Sequence, residues 1–141
     1  MNEDRIRKLV EENRLKPRSP DKARVSSILL SAEQIAEAAQ TISLTDITAT
    51  IIFREVYESV RQLGDAKWWI AGYEPWGHDV SIEFLMEENE TAFQHLDRFR
   101  RIRNDANYRG YKVALEQAQE ILRFWKEHGT RLLEQLKNKT K

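Results

Sequence analysis

Residues that break regular secondary structure are scarce in this chain, and their scarcity limits the folds that it can adopt. Only five glycines and three prolines occur among 141 residues, too few for the many turns of an all-β domain. Between these breakers, apolar residues recur every three or four positions, which is the spacing of one face of a helix. A chain of this length forms one domain with its own core. The pattern therefore predicts a single all-α domain over residues 1–141, an up-and-down bundle of five to six helices.

Segments with this spacing predict where the helices lie. They cover residues 2–14, 20–41, 45–71, a stretch from residue 78, a stretch through residues 93–102, and residues 111–137. Ser19 and Pro20 are expected to start the second helix, because serine caps free amides and proline fits the first turn. The first helix, within residues 1–15, is short, and the main core is expected roughly between residues 20 and 137.

The third predicted helix carries many of the apolar residues and one glycine. Its expected core positions are Ile47, Ile51, Val56, Val60, Leu63 and Ile70. Gly64 lies inside the helix, where glycine costs about 1 kcal/mol relative to alanine, so a break at Gly64 is left open. Trp68 and Trp69 are adjacent and must point in different directions. One of them is therefore expected at the rim of the bundle or in a dimer interface.

The composition excludes several kinds of site. The chain has no cysteine, which rules out disulfides, thiol nucleophiles and zinc sites built from cysteine. Its three histidines are dispersed, and no glycine-rich phosphate loop or dinucleotide fingerprint occurs. No metal and no cofactor are therefore expected. Because no segment resembles a signal peptide or a membrane span, we expect a cytoplasmic protein that does not bind membranes.

Positive charge is concentrated in residues 98–111, RFRRIRNDANYRGY, although the formal net charge of the chain is zero. On a continuous helix, one side of this segment would present Arg100, Arg103, Asn104, Asn107 and Tyr111. Guanidinium groups and amides can hold a phosphate, and a tyrosine ring can stack on a nucleotide base. The segment therefore predicts a site for RNA or a nucleotide. The alternative is a solvated surface on which Asp97 and Asp105 offset part of the charge.

The same residues resemble the motif of the HEPN domains, which are small all-α proteins. That motif is an arginine, a polar residue directly after it, and a histidine four to six positions after the arginine. Arg103 and Asn104 match its first half, and Asn107 stands where the histidine would be. Upstream, a pattern similar to several bacterial and archaeal HEPN groups is formed by Ala71-Gly72-Tyr73, Pro75-Trp76-Gly77-His78 and Ile82-Glu83-Phe84-Leu85. The resemblance covers roughly residues 20–137.

The resemblance implies a homodimer that brings two motifs together in a cleft between protomers. Many HEPN domains are metal-independent endoribonucleases, often toxins encoded beside a nucleotidyltransferase-like antitoxin, whereas others have lost the motif and serve in binding. Asn107 cannot transfer protons as histidine does, because an amide does not titrate near neutral pH. We therefore expect Arg103 and Asn107 to form a degenerate catalytic motif that binds RNA or a nucleotide. In some toxin members the partner attaches AMP to a nearby tyrosine, which makes Tyr108 both a binding and a modification candidate.

Two alternatives to a binding protein stay open. In the first, the protein is an active endoribonuclease in which Arg103 stabilises the charge on the phosphate and a histidine from elsewhere transfers protons. His78, His95 and His128 are the candidates, although His78 is expected instead to hydrogen-bond its own helix start or loop. In the second, the protein is a structural bundle whose arginines form ion pairs across a protein–protein interface.

Overall fold

Helices make up most of the structure, a computed structural model that describes residues 1–141. They are α1 (Glu3–Glu11), α2 (Lys22–Gln40), α3 (Ala49–Ile70), α4 (His78–Leu85), α5 (Leu96–Arg109), α6 (Leu115–Phe124) and α7 (Thr130–Lys139). A 3₁₀ turn at Thr91–His95 leads into α5, and a π-helical segment at Trp125–Gly129 joins α6 and α7 into one rod. Six rods result, which confirms the predicted all-α bundle of five to six helices. None of them is both long and apolar enough to cross a bilayer.

Two short strands also form, where the sequence predicted only a helix break and a loop. Strand β1 (Leu15–Pro17) pairs antiparallel with β2 (Tyr73–Pro75), with Lys16 opposite Glu74. Three residues are too few to show the alternation of a strand, and the pairing joins distant parts of the chain. The Trp76 amide extends the link by donating a hydrogen bond to the Arg14 carbonyl. The amino-terminal segment is thereby fixed beside the start of α4.

Helix α3 lies at the centre of the bundle and packs against α2, α4, α5, α6 and α7. Its partner α2 runs antiparallel to it. The Arg24 guanidinium lies over the Trp69 ring at one end of the pair, and the Gln62 amide donates to the Ser31 hydroxyl further along. The predicted core positions Val56, Val60 and Leu63 are buried. The principal core of 27 buried residues surrounds α3.

Three of the predicted core positions of this helix are wrong. Ile47 is 80% exposed and Ile51 is 50% exposed, and Ile70 is also exposed. The helix starts later than predicted, because the Thr48 hydroxyl accepts a hydrogen bond from the Thr45 amide and donates one to the Ser43 carbonyl, which forms a turn instead. Ala49, Ile52 and Phe53 are buried in place of the two isoleucines at the start of the helix.

The starts of two other helices also differ from the prediction. Helix α2 begins at Lys22, because the Asp21 carboxylate accepts a hydrogen bond from the Arg24 amide at 2.9 Å. The last rod begins at Leu115 rather than at residue 111. Gly110 ends α5 in a left-handed conformation, with φ at 69°, and the Val113 amide then donates to the Thr50 hydroxyl at 3.0 Å. Residues 111–114 therefore cross to α3 without helical structure.

Both adjacent tryptophans of α3 are buried, so the prediction that one lies at the rim or in a dimer interface is wrong. Trp69 is 8% exposed and belongs to the principal core. Trp68 points the other way into a second core with Leu9, Leu15 and Val80, and its indole donates to the Val80 carbonyl at 3.0 Å. The short α1 and β1 cover this side of α3, which explains how both rings leave solvent.

Gly64 does not interrupt α3. A Cβ atom at this position would lie 2.4 Å from the backbone carbonyl oxygen of Ser81 in α4. The absent side chain therefore allows the backbone of α4 to lie directly against α3.

Replacing Gly64 with alanine tests this contact. We expect Gly64→Ala to lower the free energy of unfolding by about 1–3 kcal/mol, because the added methyl group forces the two helices apart. Urea denaturation measures the change, with Glu55→Ala at an exposed position of α3 as the control. A gain in stability in Gly64→Ala, as for a glycine on an open helix surface, would contradict the close packing.

Candidate functional site

The arginines of α5 differ in whether a carboxylate neutralises them. Four of them form ion pairs, namely Arg98 with Glu120, Arg100 and Arg101 with Asp97, and Arg109 with Asp105. Arg103 has no carboxylate partner, and its guanidinium donates instead to the side-chain oxygen of Asn104 at 3.2 Å. Most of the charge is thus offset locally, while Arg103 keeps the capacity to bind an anion.

A surface cavity of about 260 Å³ lies between the start of α4 and α5. Its lining residues are His78, Asp79, Arg100, Arg103, Asn104 and Tyr108. Four of these were predicted site residues, and the structure adds a histidine and an aspartate from α4. The Asp79 carboxylate is paired with Arg14. The cavity therefore combines two guanidinium groups, an amide, an imidazole and an exposed phenol.

Arg103 lies between two aromatic rings. Its guanidinium carbon is 5.8 Å from the ring centroid of Tyr57, which is buried in α3, and 5.8 Å from that of Tyr108. Aromatic rings attract a cation to their faces. The two rings therefore hold the guanidinium in position, while Tyr108, which is 76% exposed, stays open to a ligand.

Two predicted site residues lie apart from this cavity. The side-chain oxygen of Asn107 accepts a hydrogen bond from Arg54 on α3. Tyr111 follows the left-handed Gly110 and lines a different cavity with Ile102 and Val113. The helix ends before Tyr111, so the predicted one-sided arrangement stops short of this residue.

His78 is the first residue of α4, and its ring is partly buried. Its Nδ1 atom is buried without a hydrogen-bond partner, so the expected bond from this nitrogen to its own helix start or loop is absent. Burial lowers the pKa of His78 below its ordinary value of 6.5, and the charges of Arg61 and Arg103 lower it further. The imidazole is therefore mostly neutral at pH 7 and able to accept a proton.

A network of polar side chains on α3 lies next to this cavity. Arg61 forms ion pairs with Glu58 and Asp65, and Asp65 also accepts a hydrogen bond from Ser81 in α4. Burial raises the pKa of Asp65, while Arg61 and Ser81 act in the opposite direction. Burial would also raise the pKa of Glu58, but the hydrogen bond and charge of Arg61 outweigh it and lower the pKa. The network joins α4 to α3 next to the cavity.

This network and the buried Tyr57 were not predicted from the sequence. A signal was present, because Glu58, Arg61 and Asp65 recur at helical spacing along the helix that supplies most of the predicted core positions. Such a polar stripe within a buried helix indicates charges that pair with one another.

The other two histidines lie elsewhere. His95 and His128 line a cavity of about 400 Å³ with Phe99 and Phe124, and His128 pairs with Glu90. No group of three or more histidine, aspartate or glutamate side chains is arranged to hold a metal ion. His78 is therefore the histidine that shares a cavity with Arg103.

Comparison of this chain with protein-family models, with curated proteins and with solved structures finds no match. The resemblance to the HEPN domains stays a prediction.

The charge of Arg103 should have a measurable effect on the pKa of His78. We expect Arg103→Gln to raise the pKa of His78 toward 6.5, because the substitution removes a nearby positive charge. NMR titration of the imidazole protons measures this, with His78→Gln to identify the resonance and Arg101→Gln as the control. An equal shift in both arginine variants, or none in Arg103→Gln, would contradict the proximity of the two side chains.

The lowered pKa of His78 also predicts how stability depends on pH. In the wild type, the free energy of unfolding should fall as the pH drops below 6.5, because the imidazole of the unfolded chain binds a proton at a higher pH than that of the folded chain.

A substitution of Tyr57, the buried tyrosine beside Arg103, tests the buried side of the site. Its hydroxyl is buried without a partner, and such a group costs about 1–3 kcal/mol. We therefore expect Tyr57→Phe to raise the free energy of unfolding at pH 7 by about 1 kcal/mol in urea denaturation, with the exposed Tyr108→Phe nearly unchanged. A loss of stability would show that the hydroxyl has a partner.

The pH dependence of Tyr57→Phe provides a second measurement. Burial raises the pKa of Tyr57 from 10.0 to about 12, although Arg103 and Arg100 oppose the shift. Since the unfolded tyrosine ionises first, the wild type should lose stability between pH 10.0 and about 12. Tyr57→Phe should remove this part of the loss.

Proposed function

We propose that the protein binds RNA or a nucleotide through Arg103 and its neighbours on α5. The observation that carries the proposal is the state of Arg103, the one α5 arginine without a carboxylate partner. It is held between Tyr57 and Tyr108 at the edge of an open cavity. A phosphate would supply the missing anion. Its hydrogen bonds with the Arg103 guanidinium would join two charged groups, and such bonds are stronger than those between neutral groups.

The other lining residues suit the remaining parts of such a ligand. Arg100 lies on the same side of α5 as Arg103 and can donate to a second phosphate oxygen, and the Asn104 amide adds a polar group. The exposed ring of Tyr108 offers a stacking surface for a base. A phosphate with an attached base therefore matches the cavity better than a phosphate alone.

RNA cleavage is the second candidate function, and the position of His78 favours it. A neutral imidazole beside an arginine-bound phosphate could accept the proton of a 2′-hydroxyl. The 2′-oxygen would then form a bond to phosphorus, the bond from phosphorus to the 5′-oxygen would break, and the leaving oxygen would take a proton from water. Arg103 would stabilise the charge that develops on the phosphoryl oxygens.

The HEPN resemblance adds proposals about partners and place of action. On this basis the protein acts in the cytoplasm as a homodimer, and a nucleotidyltransferase-like protein is its partner. The exposed hydroxyl of Tyr108 is accessible to modification. An AMP group on this oxygen would place a phosphate near Arg103 and obstruct the cavity.

Binding to a short labelled RNA tests the main proposal. We expect the wild type to bind at low salt and Arg103→Gln to lower the affinity at least tenfold, since hydrogen bonds to charged groups contribute about 1.5–3 kcal/mol. Fluorescence anisotropy measures the affinity, and Arg131→Gln on α7 is the charge-matched control. If the wild type has no affinity for RNA or nucleotides at low salt, the proposal is wrong and the interface alternative is favoured.

The cleavage candidate is tested with the same RNA in the presence of a metal chelator. Cleavage by the wild type that disappears in His78→Gln, while binding is kept, would identify the protein as an endoribonuclease. Binding without cleavage would leave it as a binding protein. Cleavage that persists in His78→Gln would exclude His78 as the proton acceptor.

A further inference from the structure

A second cavity, of about 440 Å³, lies on the surface of α5 beside the cavity that His78 and Arg103 line. Its lining residues are Arg101, Asn104, Asp105, Tyr108 and Arg109. Asn104 and Tyr108 belong to both cavities. The exposed ring of Tyr108 therefore stands between two open spaces, each with a pair of arginines.

The second pair of arginines is available to a ligand. The Arg101 and Arg109 side chains are 67% and 69% exposed, and their distances to Asp97 and Asp105 are 3.4 and 3.9 Å. Exposed ion pairs of this kind contribute little to stability, because water screens them and holding the side chains costs entropy. Both guanidinium groups can therefore leave these carboxylates for a phosphate.

The length of this surface exceeds that of one nucleotide. From Arg100 to Arg109 the helix rises about 14 Å, at about 1.5 Å per residue. Stacked nucleotides advance about 3.4 Å each along one strand, so the surface has room for about four of them. A mononucleotide would occupy only one of the two cavities.

We propose that the ligand is a single-stranded RNA segment that crosses α5 beside Tyr108. One phosphate binds at Arg100 and Arg103, a base stacks on Tyr108, and a further phosphate binds at Arg101 and Arg109. This inference rests on the proposed binding function and makes it more specific, because it distinguishes an RNA chain from a free nucleotide. Alternation of cationic and aromatic side chains is the arrangement that single-stranded nucleic acids require.

The test compares adenosine 5′-monophosphate with a 5′-phosphorylated 2′-O-methyl tetra-adenylate, which cannot be cleaved by attack of a 2′-hydroxyl. We expect the wild type to bind the tetranucleotide at least tenfold more tightly in calorimetric titrations at low salt. Arg101→Gln/Arg109→Gln should lower the tetranucleotide affinity about tenfold and change the affinity for the monophosphate less than twofold. The dependence of log affinity on log salt should become less steep by about 0.7 per lost phosphate contact.

A control variant and a third variant separate the two proposals. Arg7→Gln/Arg131→Gln removes the same charge from exposed arginines on α1 and α7, and its tetranucleotide affinity should stay near that of the wild type. Equal wild-type affinities for both ligands, with no effect of Arg101→Gln/Arg109→Gln, would overturn this inference. The proposed function would then still hold if Arg103→Gln weakened both ligands. Failure of the wild type to bind either ligand would overturn both proposals.

Discussion

The contact between the backbones of α3 and α4 is the constraint on which the candidate site depends. Gly64 leaves no side chain between the two helices, and the Ser81 carbonyl occupies the space. The Ser81 hydroxyl then reaches Asp65, which Arg61 holds by an ion pair. Interiors pack too densely for such a contact to shift without cost. The start of α4, and with it the imidazole of His78, is thereby placed beside α5.

The electrostatics of the site follow from how its charges are distributed rather than from their sum. The chain is neutral overall, and the partly buried charges of Glu58, Arg61 and Asp65 on α3 are paired with one another. Arg103 is partly buried and forms no ion pair; its guanidinium lies near the rings of Tyr57 and Tyr108 and donates to the Asn104 side chain. A guanidinium in this state gives up stabilisation that an ion pair would provide, and it keeps a full charge for a ligand. Burial lowers the pKa of His78, and the charges of Arg61 and Arg103 lower it further.

Much of the fold could be predicted from the sequence, and the errors have identifiable causes. The helical spacing located the six rods, but it wrongly placed Ile47 and Ile51 in the core. Ile47 lies in the threonine turn that precedes α3, and Ile51 lies inside α3 on the exposed side, because the buried face passes through Ile52 and Phe53. The burial of both Trp68 and Trp69 depends on α1 and β1 covering the second side of α3. Helical periodicity reports one amphipathic face at a time, and it cannot show that a distant segment covers the opposite face.

The sequence by itself determined the helical class, the arginine-rich segment of α5, and the pairing of Arg103 with a polar neighbour, because these depend on local spacing and residue type. Only the tertiary structure decided which groups share the cavity. It directs Asn107 to Arg54, separates Tyr111 by the left-handed Gly110, and brings in His78 from α4. The positions of Asn107 and His78 depend on contacts between residues far apart in the chain. The packing of α4 against Gly64, and not the order of residues around Arg103, sets the histidine beside the arginine.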